Sequence, residues 1–140
     1  MLIFIDEKDP RPLYQQIAAQ VKDQVQRGDV QPGDELPSVR ELAEDLGINL
    51  HTVRNAYIKL REQGVTVLRL GRRARVARQR ATGATTAEAE RALGAQMREL
   101  VADAYLLGLS NEELHALLDR HSGRDNPGTT NNNSHTEDRQ

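Results

Sequence analysis

The chain has 140 residues, of which 37% are apolar, 3% aromatic and 29% charged. We therefore expect one domain of about 110 to 120 residues with a tail, and neither a large enzyme nor a DNA-binding domain fused to a separately folded sensor. No run of about 18 apolar residues is present, so we expect no membrane span. The N-terminus does not have the pattern of a secretory signal, and the absence of cysteine fits a cytoplasmic protein.

Charge is unevenly distributed along the chain. Residues 1–80 carry a net charge of +3, whereas residues 81–140 carry −5. Residues 61–80 contain seven arginines and one acidic residue, Glu62. Arginine suits bidentate contact with phosphate or guanine, although a coding bias would produce the same composition. The local field of this segment matters more for an anionic partner than the net charge of −2 of the whole chain.

The N-terminal part predicts a short strand and a helix. Residues 2–5 have strand composition. The helix is expected to begin with Pro12 as its first residue, where the missing N–H costs nothing, and to end at Gly28. Its apolar residues recur every four positions on one face. They are Leu13, Ile17, Val21 and Val25.

Two short helices joined by a tight turn follow. Ser38 and Glu41 have the spacing of a capping box, so a helix is expected to begin after Ser38 and to end at Gly47. Asn49 is expected to cap the next helix, which Gly64 ends. The predicted inner positions are Val39, Leu42, Ala43, Leu46, Val53, Ala56, Tyr57 and Leu60. The predicted outer positions of the second of these helices are His51, Arg54, Asn55 and Ile58.

A basic hairpin is predicted directly after these helices, with strands over residues 65–70 and 74–77 and a tight turn at 71–73. The spacing of Ala43, Gly47 and Val53 is typical of a helix-turn-helix, because it combines a close helix approach, a sharp corner and an apolar anchor. The fold class expected is mainly α with a small β wing. A winged helix-turn-helix occupies the N-terminal part and a short helical dimerisation region follows it.

The C-terminal part predicts two more helices. Thr85 and Glu88 form a second capping box that opens a helix to about Leu107, and Ser110 and Glu113 cap a shorter one. The apolar stripe of these helices could be intramolecular core, but too little chain remains to cover it, so pairing with a second copy is favoured. The predicted dimerisation residues are Leu93, Met97, Leu100, Val101, Ala104, Leu107, Leu114, Leu117 and Leu118.

Three regions follow from these elements: a DNA-binding domain over 1–80, a helical dimerisation region over 81–121, and a disordered polar tail over 122–140. Residues 78–84 are interpreted as a hinge. The tail contains no apolar residue beyond Pro127, so it cannot bury enough surface to fold.

Several segments resemble the GntR family of bacterial transcription regulators. They are residues 36–43 (Leu-Pro-Ser-Val-Arg-Glu-Leu-Ala), 52–54 (Thr-Val-Arg) and 60–64 (Leu-Arg-Glu-Gln-Gly). The resemblance covers about residues 10–77, and residues 85–119 are similar to the short two-helix tail of the YtrA subfamily. It implies DNA contacts from Arg40, from Arg54 in the major groove and from the wing at Gly71.

The set of residues expected to bind DNA extends these positions. It comprises Ser38, Arg40, Asn49, Leu50, His51, Thr52, Arg54, Asn55, Gly71, Arg72 and Arg73. Some alternatives stay open: Arg40 could cap a helix or form a salt bridge with Glu44. Leu50 could pack internally or touch a thymine methyl group, and His51 could contact a base or a phosphate. At Leu50 many relatives carry arginine, and Arg73 occupies a position that is usually glycine in the wing of the family.

The function expected is that of a homodimeric repressor, which binds double-stranded DNA at an inverted-repeat operator and controls a transporter-type operon. The alternative is a winged-helix module that docks a protein partner. A small-molecule effector that binds between the dimerisation helices and the DNA-binding domains is a further expectation. No constellation for catalysis appears, so we expect no enzyme. We expect no cofactor, and the four histidines are too dispersed for a metal site.

Overall fold

The computed structural model describes residues 1–69, 71–80 and 82–122. In chain order the elements are α1 (Leu13–Arg27), α2 (Val39–Leu46), α3 (Leu50–Glu62), β1 (Thr66–Val67), β2 (Arg75–Val76), α4 (Thr86–Leu106) and α5 (Asn111–Ser122). The chain divides into two compact units, Met1–Gly83 and Ala84–Gln140. The predicted class, mainly α with a small two-stranded sheet, is confirmed. Within the described ranges, no helix combines the length and hydropathy needed to cross a membrane.

The strand predicted over residues 2–5 is wrong. This segment is bound to glutamine side chains of α1, and no strand partner lies beside it in the described part of the chain. The side chain of Gln20 accepts from Phe4 N (2.9 Å) and donates to Phe4 O (2.5 Å), and Gln24 donates to Leu2 O (2.6 Å). Glutamines spaced four residues apart thus form hydrogen bonds with the N–H and C=O groups of an extended backbone, which would otherwise need a partner strand.

Helix α1 begins one residue later than predicted. Pro12 is its N-cap rather than its first helical residue, because its ψ of 147° is extended, and its carbonyl accepts from Gln16 N at 3.2 Å. Gly28 ends the helix with a φ of +82°, as predicted. Ile17 and Val21, two members of the predicted stripe, are fully buried.

The core of the first unit forms where α1 and α2 pack against α3. Val53, Ala56 and Leu60 of α3 are completely buried, which confirms three of its predicted inner positions. Removing such side chains from water is the main favourable contribution to folding. The other buried apolar residues of this core are Ile3, Ile17, Ala18, Val21, Val30, Leu36, Leu42, Ala43 and Val76.

The hairpin is present, but its strands are shorter than predicted. Thr66 lies opposite Val76, and Val67 lies opposite Arg75. The returning strand is also bonded on its other side, where Val76 N donates to Asp34 O at 2.9 Å and Gly33 N donates to Val76 O at 2.8 Å. We call residues 66–69 and 71–76 the wing. Leu70, the last residue of the predicted first strand, lies outside the described residues.

The second unit contains α4 and α5. Thr85 caps α4 as predicted, because its hydroxyl accepts from Glu88 N at 3.2 Å. The hydroxyl of Ser110 accepts from Glu113 N at 3.1 Å, which confirms the predicted cap of α5. Ser122, placed in the tail by the sequence, is the last residue of α5. The rest of the predicted tail, residues 123–140, lies outside the described residues.

Candidate nucleic-acid interface

The turn between α2 and α3 fixes the direction in which α3 leaves the core. Gly47 has a φ of +64°, a left-handed conformation that residues with a Cβ adopt at a cost. Ile48 N donates to Ala43 O at 3.1 Å and so closes the end of α2. The side chain of Asn49 accepts from His51 N at 2.8 Å, which confirms Asn49 as the N-cap of α3.

The outer face of α3 presents polar side chains to solvent. His51, Arg54 and Asn55 are all exposed. Arg54 forms no salt bridge among the described residues, so its five N–H donors are available to a partner. Thr52 is half-buried. Leu50, for which the sequence left two interpretations open, is half-buried and packs against the core.

The N-terminus of α2 lies beside the wing and carries two predicted site residues. Ser38 forms the predicted capping box: its hydroxyl accepts from Glu41 N at 3.1 Å, and its own N–H donates to the Glu41 carboxylate at 3.1 Å. Arg40 is exposed. The salt bridge between Arg40 and Glu44, considered from the sequence, is absent from the described part of the chain.

Two wing arginines are held by acidic side chains, which the sequence did not predict. Arg73 donates from both terminal nitrogens to the two oxygens of Glu41, each at 2.7 Å. Arg75 donates to Glu35 at 2.6 Å and to Gly33 O at 2.8 Å. Hydrogen bonding from Arg73, followed by that from Ser38 N, holds the pKa of Glu41 below its usual range. No local spacing signals these pairs, because their members lie more than 30 residues apart.

A cleft of about 640 Å³ lies between α3 and the wing. It is lined by Arg54 and Arg61 from α3 and by Arg69, Arg72 and Arg73 from the wing. The exposed apolar side chains of Ile58 and Leu68 also line it. The cleft therefore brings cations from two separate elements to one concave surface. Arg61, Ile58 and Leu68 were not among the predicted site residues, because only the packing of the wing reveals that they share this surface.

Tyr57 joins α3 to the segment before α2. Its hydroxyl donates to Pro37 O at 2.6 Å, and the side chain is half-buried. Burial, reinforced by the nearby carboxylate of Glu41, raises the pKa of Tyr57. The neutral hydroxyl is therefore the form that the fold favours, and it acts as a structural donor. The sequence placed Tyr57 in the core, and the contact with Pro37 was not anticipated.

The residues predicted to dimerise lie on the second unit, and six of the nine are exposed. Their exposed fractions range from 42% for Leu100 to 78% for Leu107. Leu114 and Leu117 are half-buried. Ala104 is buried within the chain, so its side chain is already packed. Tyr105 and Leu106, which were not predicted, are about four-fifths exposed.

The first unit thus presents a helix-turn-helix, an exposed polar face on its second helix and an arginine-bearing wing beside that face. This combination defines the winged helix-turn-helix class of DNA-binding proteins. The sequence pattern that describes the bacterial regulatory proteins of the GntR family matches residues 13–76. The chain is also 36% identical over 115 residues to the HTH-type transcriptional repressor YtrA of Bacillus subtilis, covering 81% of this chain and 87% of that protein.

This protein belongs to the GntR family of bacterial transcription regulators, and its similarity to YtrA extends beyond the DNA-binding domain. Solved structures agree. A transcriptional antiterminator from Listeria monocytogenes EGD-e has a TM-score of 0.76 and 31% identity, with 87% of this chain and 90% of that chain covered. YtrA from Sulfolobus acidocaldarius has a TM-score of 0.59 and 33% identity, with 76% and 99% covered. The chain is a DNA-binding transcription regulator and not an enzyme.

Proposed function

We propose that this protein is a homodimeric repressor that binds an inverted-repeat operator and controls a transporter-type operon. The observation that carries the proposal is the shared cleft, in which Arg54 of the recognition helix α3 and Arg72 of the wing border one surface. One rigid domain can then contact a groove and the adjacent backbone at the same time. Phosphate contacts fix the position on the duplex, and base contacts give the specificity.

In this proposal α3 enters the major groove with its exposed face toward the bases. Arg54 pairs with O6 and N7 of a guanine, and His51 and Asn55 contact neighbouring bases or phosphates. The N-termini of α2 and α3 point free N–H groups at the backbone, close to Ser38, Asn49 and Thr52. The exposed Arg40 makes a further contact with the backbone. Leu50, half-buried, contributes to the site through its exposed edge.

The wing contacts the minor groove and the phosphates beside it. Gly71 has a φ of +72° and no Cβ, so the backbone of the tip can come close to the DNA. Arg72 is exposed and forms no salt bridge among the residues that the structure describes, so its charge is available to phosphate. The electronegative minor groove attracts such a cation.

The exposed apolar residues of α4 support the homodimer. Leu93, Met97, Leu100 and Val101 are each at least about two-fifths exposed on one helix. An exposed apolar patch of this kind marks an interaction surface, and a two-fold dimer matches an operator of two inverted half-sites. Two half-site contacts joined in one dimer bind far more tightly than either alone.

Repression and the transporter operon rest on the relatives. YtrA of Bacillus subtilis is a transcriptional repressor, and control of a transporter-type operon is what the resemblance to the short YtrA subfamily implies. We propose that this protein acts in the cytoplasm, where it occupies promoter DNA and so blocks transcription. A small-molecule effector that changes operator affinity is also part of the proposal.

Immunoprecipitation of the protein from its host, followed by sequencing of the bound DNA, tests the proposal and identifies the operator. We expect a few sharp peaks over one inverted repeat near promoters. Increased transcript levels of the adjacent genes after deletion of the regulator would support repression. Diffuse occupancy, or capture of a protein partner without DNA, would instead favour the protein-docking module.

The contact of Arg54 with a base is tested on the operator thus found. Arg54→Ala should weaken binding by about 1–3 kcal/mol and relax the preference for one base pair. The control is Lys22→Ala, which removes an exposed cation from α1, away from the cleft. The contact is disproved if both variants bind the operator and its mismatched versions as the wild type does.

A further inference from the structure

Arg73 differs from its neighbour Arg72 because an acidic side chain already holds its charged end. Its Nη1 and Nη2 donate to Oε2 and Oε1 of Glu41, each at 2.7 Å. This is the side-by-side geometry in which arginine binds a carboxylate most strongly. Arg72 forms no salt bridge within the described ranges. Two adjacent arginines of the wing are therefore in different electrostatic states.

Glu41 connects Arg73 to the helix-turn-helix. The oxygen Oε2 that accepts from Arg73 also accepts from Ser38 N at 3.1 Å. The hydroxyl of Ser38 accepts from Glu41 N, so the same residue belongs to the capping box of α2. One carboxylate thus bonds both the wing and the helix that precedes α3.

In the described part of the wing, few backbone hydrogen bonds lie near Arg73. Strands β1 and β2 contain two residues each, and the ladder ends at the pair of Val67 and Arg75. One residue closer to the wing tip than Arg75, Ala74 O accepts from Leu36 N at 2.8 Å. Arg73 is one residue closer still to the tip. There the side chain of Arg73, through its hydrogen bonds to Glu41, attaches the wing to α2.

We propose that Arg73 is a positioning residue, which together with Glu41 holds the wing against the N-terminus of α2, while Arg72 supplies the charge that meets the DNA. This inference rests on the proposed DNA-binding function. The two side chains are each 47% exposed, and exposed ion pairs add little to the stability of a fold. The consequence of the pair therefore lies in the geometry of the wing.

An arginine that is already paired with a carboxylate also releases few counterions from DNA. Arg73 and Glu41 together carry no net charge, so placing the pair near DNA neutralises no phosphate. A phosphate contact from Arg73 would require the Glu41 bond to break and would leave a carboxylate facing the DNA. The positioning role and direct contact thus predict opposite effects of removing the Glu41 charge.

The test measures operator affinity over a range of salt concentrations for Glu41→Gln, Arg73→Gln, the double variant and Arg72→Gln. Glutamine can fill the N3 position of a capping box, so Glu41→Gln removes the charge but keeps the cap. We expect each single variant of the pair to bind on the order of tenfold more weakly, and the double variant no more weakly than either. Their salt slopes should equal that of the wild type.

Arg72→Gln is the matched control. It should lower the slope of log K against log salt by about 0.9 for each phosphate that the variant no longer neutralises. Tighter binding by Glu41→Gln, or a lower slope for Arg73→Gln, would show that Arg73 binds phosphate and would overturn the inference. Unchanged affinity in both variants would overturn it as well.

Hydrogen exchange without DNA separates this inference from the proposed function. Amides of residues 71–76 should exchange faster in Glu41→Gln and in Arg73→Gln than in the wild type, whereas those of α1 should not change. Unchanged exchange in the wing would overturn the positioning role. If the wild type selects no DNA sequence, the proposed function fails, and the exchange result still decides whether the pair holds the wing.

Discussion

At the scale of single residues, the hydroxyl of Tyr57 makes the hydrogen bond that joins α3 to the segment before α2. Tyr57→Phe removes the donor and leaves the Pro37 carbonyl, which accepted it at 2.6 Å, without that bond. We expect the free energy of unfolding to fall by about 0.5–1.5 kcal/mol, the net contribution of a typical hydrogen bond. Urea unfolding followed by circular dichroism measures the change.

Tyr105→Phe provides the control for this experiment. Tyr105 is 81% exposed on α4, so removal of its hydroxyl should leave the unfolding free energy within error of the wild type. Equal losses in the two variants would mean that the bond from Tyr57 to Pro37 contributes nothing specific to stability.

The ion pair of Glu41 and Arg73 makes a small part of the stability depend on acid pH, because both side chains are exposed. Because Arg73 lowers the pKa of Glu41 in the folded state, the unfolded chain takes up a proton first as the pH falls. The stabilisation is therefore present above the range in which an unfolded glutamate titrates, and it is lost below that range. Asp9, whose pKa is lowered mainly by hydrogen bonding from Arg11, contributes in the same direction.

As the pH falls from about 5 to about 3, the free energy of unfolding should therefore decrease less for Glu41→Gln than for the wild type. Urea unfolding at several pH values in this range measures the difference. Asp9→Asn is the comparison, since it removes the other carboxylate with a lowered pKa. A Glu41→Gln curve parallel to that of the wild type would show that this pair does not control the acid response.

Local contacts at this scale could be predicted from the sequence, and distant ones could not. The caps at Ser38, Asn49 and Thr85 depend on residues two or three positions away, so their spacing identifies them. The bond between Glu41 and Arg73 spans 32 residues, and it forms only after the wing folds back on α2. For the same reason, the sequence placed Arg72 and Arg73 together in the set expected to bind DNA.

At the scale of elements, the corner between α2 and α3 depends on Gly47. Its φ of +64° is left-handed, and a Cβ there would meet no atom within 4 Å, so the cost of substitution is conformational. Gly47→Ala should destabilise the first unit by about 1–2 kcal/mol. Operator affinity should fall as well, because the corner sets the direction of α3.

Gly83→Ala is the matched control for Gly47→Ala. A Cβ at Gly83 also meets no atom within 4 Å, and its φ lies outside the left-handed range. Thermal unfolding should therefore show a lower midpoint for Gly47→Ala and no decrease for Gly83→Ala. Equal midpoints in the two variants would refute the requirement for a left-handed residue at the corner.

Helices of this chain were predicted more accurately than strands, for a physical reason. A helix satisfies its own backbone, so apolar period and caps define α2 and α3 closely. A strand needs a partner that the local sequence does not specify. Residues 2–5 are bonded to side chains of α1, and β2 is bonded to the segment around Asp34 as well as to β1. The strand predictions failed or were too long at these two places.

At the scale of the whole molecule, the proposed homodimer depends on α4. Leu93, Met97 and Leu100 recur on one face of this helix and are all exposed. The period of the sequence identifies this stripe, and the exposure of its apolar side chains favours a second copy of the chain as the proposed partner. The unit Ala84–Gln140 leaves most of the stripe exposed in its described residues, as the proposed dimer requires.

A charge in this stripe should separate the dimer without unfolding the chain. Met97→Glu combined with Leu100→Glu places two carboxylates where an apolar partner surface is proposed, and burying unpaired charges there is strongly unfavourable. Because both positions are exposed in the single chain, the helix content should not change. Sedimentation velocity should show a dimer for the wild type and a monomer for the variant, at equal micromolar concentrations.

Ala95→Glu is the control for charge alone, since it adds a carboxylate to an exposed position on the side of α4 opposite Leu93. This variant should remain dimeric and bind the operator as the wild type does. The double variant should lose most of its affinity for the full operator and retain weak binding to a half-site, because a monomer no longer links two half-site contacts. If the double variant stays dimeric, the apolar stripe of α4 is not the interface. The surface around Tyr105 and Leu106, which are about four-fifths exposed, is then the next to be changed.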